Sequence, residues 1–370
     1  MTNFHVFYLP VAHARPQARI IRERLLPHSG EVSVEPDQRV EPPHIVARAA
    51  MPAAPLVVNL AQRLGVPPKD VKGFLLKAIG DEFNKDEVLA SKKGRLGRVS
   101  EYRAPGVGRL LAEHEGQLVL EIVPALMELP ANINGVVTNV MPRYGVVIEL
   151  AGGLAQGIWG NGKENYGVLK LLGDKPDQAL TQDIIDVSYL GALVVVGGAI
   201  QADGLKQATA LQVHGVIAGS MPASLRDQAM AAALPIMITE GFGSWSMAAP
   251  TYELLKGFNG REAALRAVYR TRGGAQRPEL VSPLPQQDAA SAEAPPHAVL
   301  LQKGALVRVG AGAYLGQAGR VVSEKPQTQT LAGGIRARAV EIALGSSADT
   351  AADLEAERVW IPIHNLEAIG

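Results

Sequence analysis

Glycine and proline punctuate this chain so densely that few long elements can form in it. Its 39 glycines and 25 prolines among 370 residues imply short runs joined by tight turns. Aromatic residues reach only 5%, which leaves Val, Ile, Leu and Ala to build the cores and favours β-rich modules. The length predicts about two or three domains. With 47% hydrophobic and 19% charged residues, the composition is that of a folded chain and not a disordered one. Lysine plus arginine (36) balance aspartate plus glutamate (36), so a nucleic acid or an anionic membrane can be gripped only by a local patch.

Cysteine is absent, which excludes disulfides, thiol nucleophiles, Cys-type zinc sites and iron–sulfur clusters. The 8 histidines form no HxxxH pair and no metal-ligand spacing, so neither a metal nor a cofactor is expected. Residues 1–26 carry Arg15, Arg19, Arg22 and Arg24 without the apolar stretch of a secretory signal. The longest apolar run, 191–200, is too short for a bilayer. A cytoplasmic protein is the expectation.

Two segments match without a gap: 35–47 (EPDQRVEPPHIVA) and 78–90 (AIGDEFNKDEVLA). Val40 falls on Phe83, Ile45 on Val88, Val46 on Leu89 and Ala47 on Ala90. Each reads as a turn followed by two short strands with inward apolar residues. A further strand pair follows the second copy, at 102–108 and 116–121. The pattern of Gly-Asp, a hydrophobic pair and then Ala-Pro-x-x-Gly resembles the barrel-sandwich hybrid of biotinyl and lipoyl carrier domains, across roughly 25–172. That resemblance implies a lysine-bearing hairpin. Residues 91–98 stand there, with Lys92 and Lys93 but no attachment motif, so a solvated basic hairpin is expected. Hybrids of this sort also occur in the peripheral C subunit of Rnf-type electron-transport complexes, which implies a peripheral membrane complex as a partner. The cluster domain of those subunits needs cysteine, so redox function does not carry over.

Residues 157–163 satisfy the G-x-x-x-x-G-K of a phosphate-binding loop. The next residue is Glu164, which sets a carboxylate where a Ser or Thr hydroxyl would meet Mg²⁺, and a strand-like segment follows in place of a helix. A glycine-rich β-turn is expected there.

From about 176 to 278 apolar strands alternate with helical periods. Strands over 193–196, 215–218 and 235–239 are separated by helices over 201–211 and from Pro222 to Ala233, and a third helix spans 248–258. This predicts a Rossmann-like parallel α/β domain with ligands at the carboxyl ends of the strands. Those ends carry Gly197, Gly198, Gly219, Glu240 and Gly241. Glu240, the only charged side chain among them, either serves a small-ligand site or caps a helix and accepts backbone N–H bonds. In an extended strand Arg266, Arg270 and Arg272 would share a face, able to grip a phosphate, an RNA backbone or an acidic partner, or simply to protect an edge.

The proline- and alanine-rich stretch 283–298 reads as a linker. Beyond it stand Lys303, Gly304, Val307, Arg308, Val309, Gly312, Tyr314, Gly316, Gly319 and Val321. These resemble the KOW motif of NusG-type transcription factors and certain ribosomal proteins, with 359–367 resembling the closing strand of such SH3-like barrels. The resemblance implies binding of RNA or protein. From 297 to 370 seven basic residues face seven acidic ones, and a neutral module suits a protein partner better than RNA.

The expected layout is a multidomain α/β plus all-β chain. It has an N-terminal extension (1–24), a barrel-sandwich-hybrid region (25–173), a Rossmann-like domain (176–282), a linker (283–298) and a KOW or SH3-like barrel (299–370). The expected function is a non-catalytic binding or adaptor protein with a protein partner. Two alternatives stand beside it: an enzyme or sensor holding a small anionic ligand at the α/β strand ends, and RNA binding through the KOW segment.

Overall fold

The computed structural model describes residues 6–50, 55–93, 99–123, 126–173, 175–269, 276–284, 292–323, 325–331, 334–344 and 357–369. Among the described residues strands make up 49% and helices 14%, with the strands spread over several sheets. This corrects the expectation of a Rossmann-like α/β domain. Strands Leu193–Ala199, Gly215–Met221 and Ile236–Phe242 are parallel neighbours. The intervening helices are small: Ala202–Ala210 has 9 residues and Arg226–Ala231 only 6. The sheet also continues past them. Glu164–Leu171 pairs parallel with Leu193–Ala199 and antiparallel with Glu262–Arg266. From there the sheet runs through Glu279–Pro283, Gly145–Gln156 and Gly135–Met141 to Arg39–Val40, eleven strands in all. Local periodicity in 191–258 reproduces the strand–helix rhythm, but the pairing partners are distant strands that no local pattern reveals.

Both faces of the parallel part are buried, which is why its strands read as unbroken apolar runs. Val194, Val196, Val216 and Ile236 point to one core. Leu193, Val195, Ile217 and Met237 point to the other, under Tyr252, Leu255 and Phe258 of helix Ala249–Gly257.

The similarity of 35–47 and 78–90 is a structural duplication. Asp37 and Gly80 both have left-handed φ, 64° and 96°, and both donate across to the following hairpin, to the carbonyls of Val137 and Leu110 at 2.8 and 2.7 Å. Val40 pairs with Gly135 as Phe83 pairs with Gly108. The two hairpins carry the same β-bulge, between Val137 and Asn139 in one and between Leu110 and Ala112 in the other. Strand Ala14–Leu25 lies on the first hairpin as Pro55–Asn59 lies on the second.

The copies are nested. Strand Ile45–Ala50 pairs with Leu126–Pro130, Ala50 opposite Leu126, so the whole second copy falls in sequence between these two strands. Its own equivalents, Val88–Lys93 and Val99–Arg103, are joined directly as a hairpin. Each copy has its own core, centred on Val46, Val137 and Ile148 in the first and on Phe83, Leu110 and Leu120 in the second.

The remaining eight strands form a third unit in the order Ala298–Leu300, Tyr8–Ala12, Leu366–Ile369, Leu306–Val309, Ala318–Val321, Arg336–Leu344, Gln327–Thr330, with Arg358–Pro362 also on Arg336–Leu344. Strand Tyr8–Ala12 is antiparallel to Ala298–Leu300 and parallel to Leu366–Ile369. Leu9 and Val11 enter the core of this unit beside Val307, Val321 and Val340. Among the described residues no helix is long and apolar enough to cross a membrane.

Candidate functional site at the parallel strand ends

The structure brings Gly197, Gly198, Gly219 and Glu240 together at the carboxyl end of the parallel strands, and fills the space over them with backbone. A side chain at Gly197 would run into the carbonyl of Pro176, and one at Gly198 into those of Asp177 and Gln178. Gly219 lies against the Gly197 carbonyl and the main chain of Trp245 and Met247. The Met247 amide donates to the Gly197 carbonyl at 2.6 Å, and the Ser220 hydroxyl binds both the amide and the carbonyl of Trp245 at 2.7 Å. Glycine serves here for close packing of chain on chain. Gly241 has φ +96° and open space around it. Arg270 and Arg272 lie outside the described residues.

Glu240 is 1% exposed. Its Oε1 accepts the amide of Ala248 at 3.0 Å, satisfying one of the free N–H groups where helix Ala249–Gly257 begins. Its Oε2 accepts Nη1 of Arg308 at 3.0 Å. Arg308 arrives from the C-terminal unit, itself 1% exposed. The same Nη1 donates to the carbonyl of Thr239 at 2.6 Å, while Nη2 donates to Oε2 of Glu367 at 2.5 Å. Arg277 pairs with the other Glu367 oxygen. Burial opposes the Arg308 charge, but Glu240 and Glu367 outweigh that and raise its pKa above the ordinary arginine value. Two cations and two carboxylates thus form a closed, neutral cluster joining the strand ends to the C-terminal unit.

Strand alternation explains how Arg308 gets there. Val307 and Val309 point into the core of the C-terminal unit, so Arg308 between them faces the other way. Glu367 is its cross-strand neighbour in the antiparallel ladder. The strand, loop and strand read from the motif glycines are present: Val307 lies opposite Gly319, and Gly304, Gly312 and Gly316 take positive φ of 84°, 96° and 82°. The Tyr314 hydroxyl lies 3.5 Å from the Glu357 carboxylate, and Gly316 rests on the Trp245 side chain. Sequence reading missed Glu367, Arg277 and Trp245. The one available signal was a lone arginine inside the apolar strand Leu306–Val309, which does not say which carboxylate it meets.

A second charged cluster lies where Ala14–Leu25 crosses the large sheet. Arg22 pairs with Glu279, and Arg24 pairs with Glu164 through both Nη atoms at 2.7 Å. Arg266, opposite both Glu164 and Glu279 in the ladders, reaches Gln276 at 3.3 Å. The pocket they line, about 20 Å³, has room for roughly one water molecule. Burial opposes the Glu164 charge, but Arg24, with help from Asn132 and Arg266, holds the carboxyl below its ordinary value. Stability from this group is therefore full above the ordinary carboxylate pKa of 4.5 and is lost as pH falls below it. Glu164→Gln is expected to flatten part of that acid-side loss in urea titrations at a series of pH values.

The glycine-rich loop 157–163 braces this region. Asn161 bonds the carbonyls of Ala229 and Leu234 at 2.9 Å and the amide of Ile236 at 3.0 Å. Lys163 donates to the carbonyls of Met230 and Ala232 at the end of helix Arg226–Ala231. Lys163→Ala is expected to lower stability by about 1 kcal/mol, with ATP hydrolysis at background in both proteins. Turnover abolished by the substitution would contradict this. Lys92 is likewise engaged, with the carbonyls of Leu64 and Gly65 at 3.0 and 2.9 Å. Among the described residues no group of three His, Asp or Glu could hold a metal ion.

No protein-family model matches the chain, and no curated protein matches it.

Proposed function

We propose that this chain is a binding or adaptor protein whose partner is another protein. One observation carries the reading: Glu240, the single charged side chain at the glycine-ended strands, is committed to a helix cap and to Arg308, so it serves the joining of two units and not a ligand. The same contact argues against RNA as the main partner. Arg308, the basic residue of the motif strand, is withdrawn from solvent and cannot neutralise a phosphate.

The test is made on the full chain. Labelled single-stranded RNA is titrated near physiological ionic strength, and phosphate and nucleotides are screened by thermal shift. Cross-linking of the tagged protein in its host then reads out partners. The adaptor reading expects neither saturable RNA binding nor an anion-induced shift, and a stoichiometric, nuclease-resistant protein complex. Submicromolar RNA binding, or an anion shift abolished by Glu240→Gln, would overturn it.

A further inference from the structure

The duplicated modules carry matching grooves, and in only one of them does a segment from elsewhere in the chain supply a wall. In the first module the groove, about 520 Å³, is lined by Arg39, Val40, Asn134, Glu149, Leu150 and Ala151. One of its walls comes from elsewhere in the sequence, since Pro283 and Leu284 also line it. Strand Glu279–Pro283 pairs with Gly145–Gln156, Pro283 opposite Gly152. The Leu284 amide then donates to the Ala151 carbonyl at 3.0 Å. An extended Pro-Leu segment has been added at the rim of the module.

In the second module the equivalent positions are Glu82, Phe83, Val107, Glu121, Ile122 and Val123, and they line a groove of about 590 Å³. Every residue lining it lies within the module. Its chemistry has also shifted. Phe83 replaces Val40 at the base, Val107 replaces Asn134, and Val123 replaces Ala151. Val107 and Val123 are 50% and 58% exposed at its edge. At the rim Lys77 pairs with Glu87 at 2.7 Å and Arg109 with Glu121 at 3.0 Å. Glu82 has no cation paired with it among the described residues, so the rim carries a spare negative charge.

We propose that this second groove receives an extended segment of a partner protein, an apolar Pro-Leu type peptide with a basic flank, seated as Pro283 and Leu284 are seated on the first module. The proline ring and leucine side chain would pack on Val107, Ile122 and Val123, with the buried Phe83 beneath them. A main-chain amide would donate to the Val123 carbonyl as Leu284 donates to Ala151, and the flanking cation would meet Glu82. The proposal rests on the adaptor reading and gives it a site and a partner chemistry.

The probe is a fluorescein-labelled peptide with the sequence of residues 281–287, VSPLPQQ, followed by one lysine, titrated into the full chain. Saturable binding is expected. Val107→Asp combined with Val123→Asp should weaken it at least about tenfold at an unchanged unfolding temperature, while Val57→Asp, on the outer strand Pro55–Asn59, leaves it unchanged. Methyl resonances of Val107 and Val123 in the wild-type protein should shift on titration, which tests the site without any variant. No saturation at millimolar peptide, binding retained by the double variant, or shifts confined to other methyl groups would overturn the proposal. Those results leave the RNA and anion titrations untouched, so the groove and the adaptor reading fail separately.

Discussion

Arg308→Ala is expected to be among the most damaging single substitutions in the chain, costing about 3–5 kcal/mol because it strands buried carboxylates. In the native cluster the Glu240 side chain is fully buried and that of Glu367 nearly so, at 0% and 9% exposed. Without the guanidinium, Glu240 keeps only the Ala248 amide and Glu367 only Arg277. The carbonyl of Thr239 also loses its Arg308 donor. The loss should be recoverable in part. Arg308→Met combined with Glu240→Gln and Glu367→Met removes the three buried charges, leaves Arg277, whose side chain is 27% exposed, to solvent, keeps an acceptor for the helix cap, and is expected to restore most of the lost stability, since well-packed apolar replacements of buried ion clusters are often neutral. Urea denaturation of the full chain, read as a mutant cycle, checks both statements. A loss under about 1 kcal/mol for Arg308→Ala would mean that the cluster does not join the two units in solution.

Cutting the chain between Gln287 and Asp288, through an engineered protease site, is expected to leave the C-terminal unit attached. Composition marks 283–298 as a linker, and a unit tethered only by a linker would float free. Here strand Tyr8–Ala12 lies between Ala298–Leu300 and Leu366–Ile369, so a covalent stretch from the other side of the cut is part of that sheet. Leu9 and Val11 are 1% and 5% exposed, and burial of two such side chains is worth about 3–6 kcal/mol. The Arg308 cluster adds a second tie. The nicked protein should co-elute as one species in size exclusion, and deletion of residues 1–12 should release or unfold the fragment. Release from the otherwise intact nicked protein would refute the arrangement.

Much of this was legible locally. The apolar runs at 193–196, 215–218 and 235–239 are strands whose glycine ends converge, and the motif glycines from Gly304 to Gly319 frame a hairpin. What local reading could not supply was pairing over distance. The α/β expectation failed because the strands that extend the parallel core lie before residue 172 and after residue 261, and their apolar patterns do not say which edge they join. The duplication was legible only in its first half. Its second half, Ala131 to Ala151 against Ala104 to Val123, is hidden because nesting changes the sequence offset between the copies. Arg266 shows the same limit: even spacing suggested a cationic face, but its strand sets it beside Glu164 and Glu279, which already pair with Arg24 and Arg22.

The pairing of Tyr8–Ala12 with Leu366–Ile369 also sets a timetable for biosynthesis. Val11 must wait for Ala368, more than 350 residues later, which at about 5–20 residues per second is tens of seconds on the ribosome. Until Ala298–Leu300 is made the strand has neither neighbour in its sheet, and until Leu366–Ile369 follows it has only one, while the nested second module has all its strands by residue 122 and is free to fold first. A segment made long before its partners is thus among the last to find its place. Where translation stalls before the final strands, Leu9 and Val11 are left open to chaperones or to aggregation.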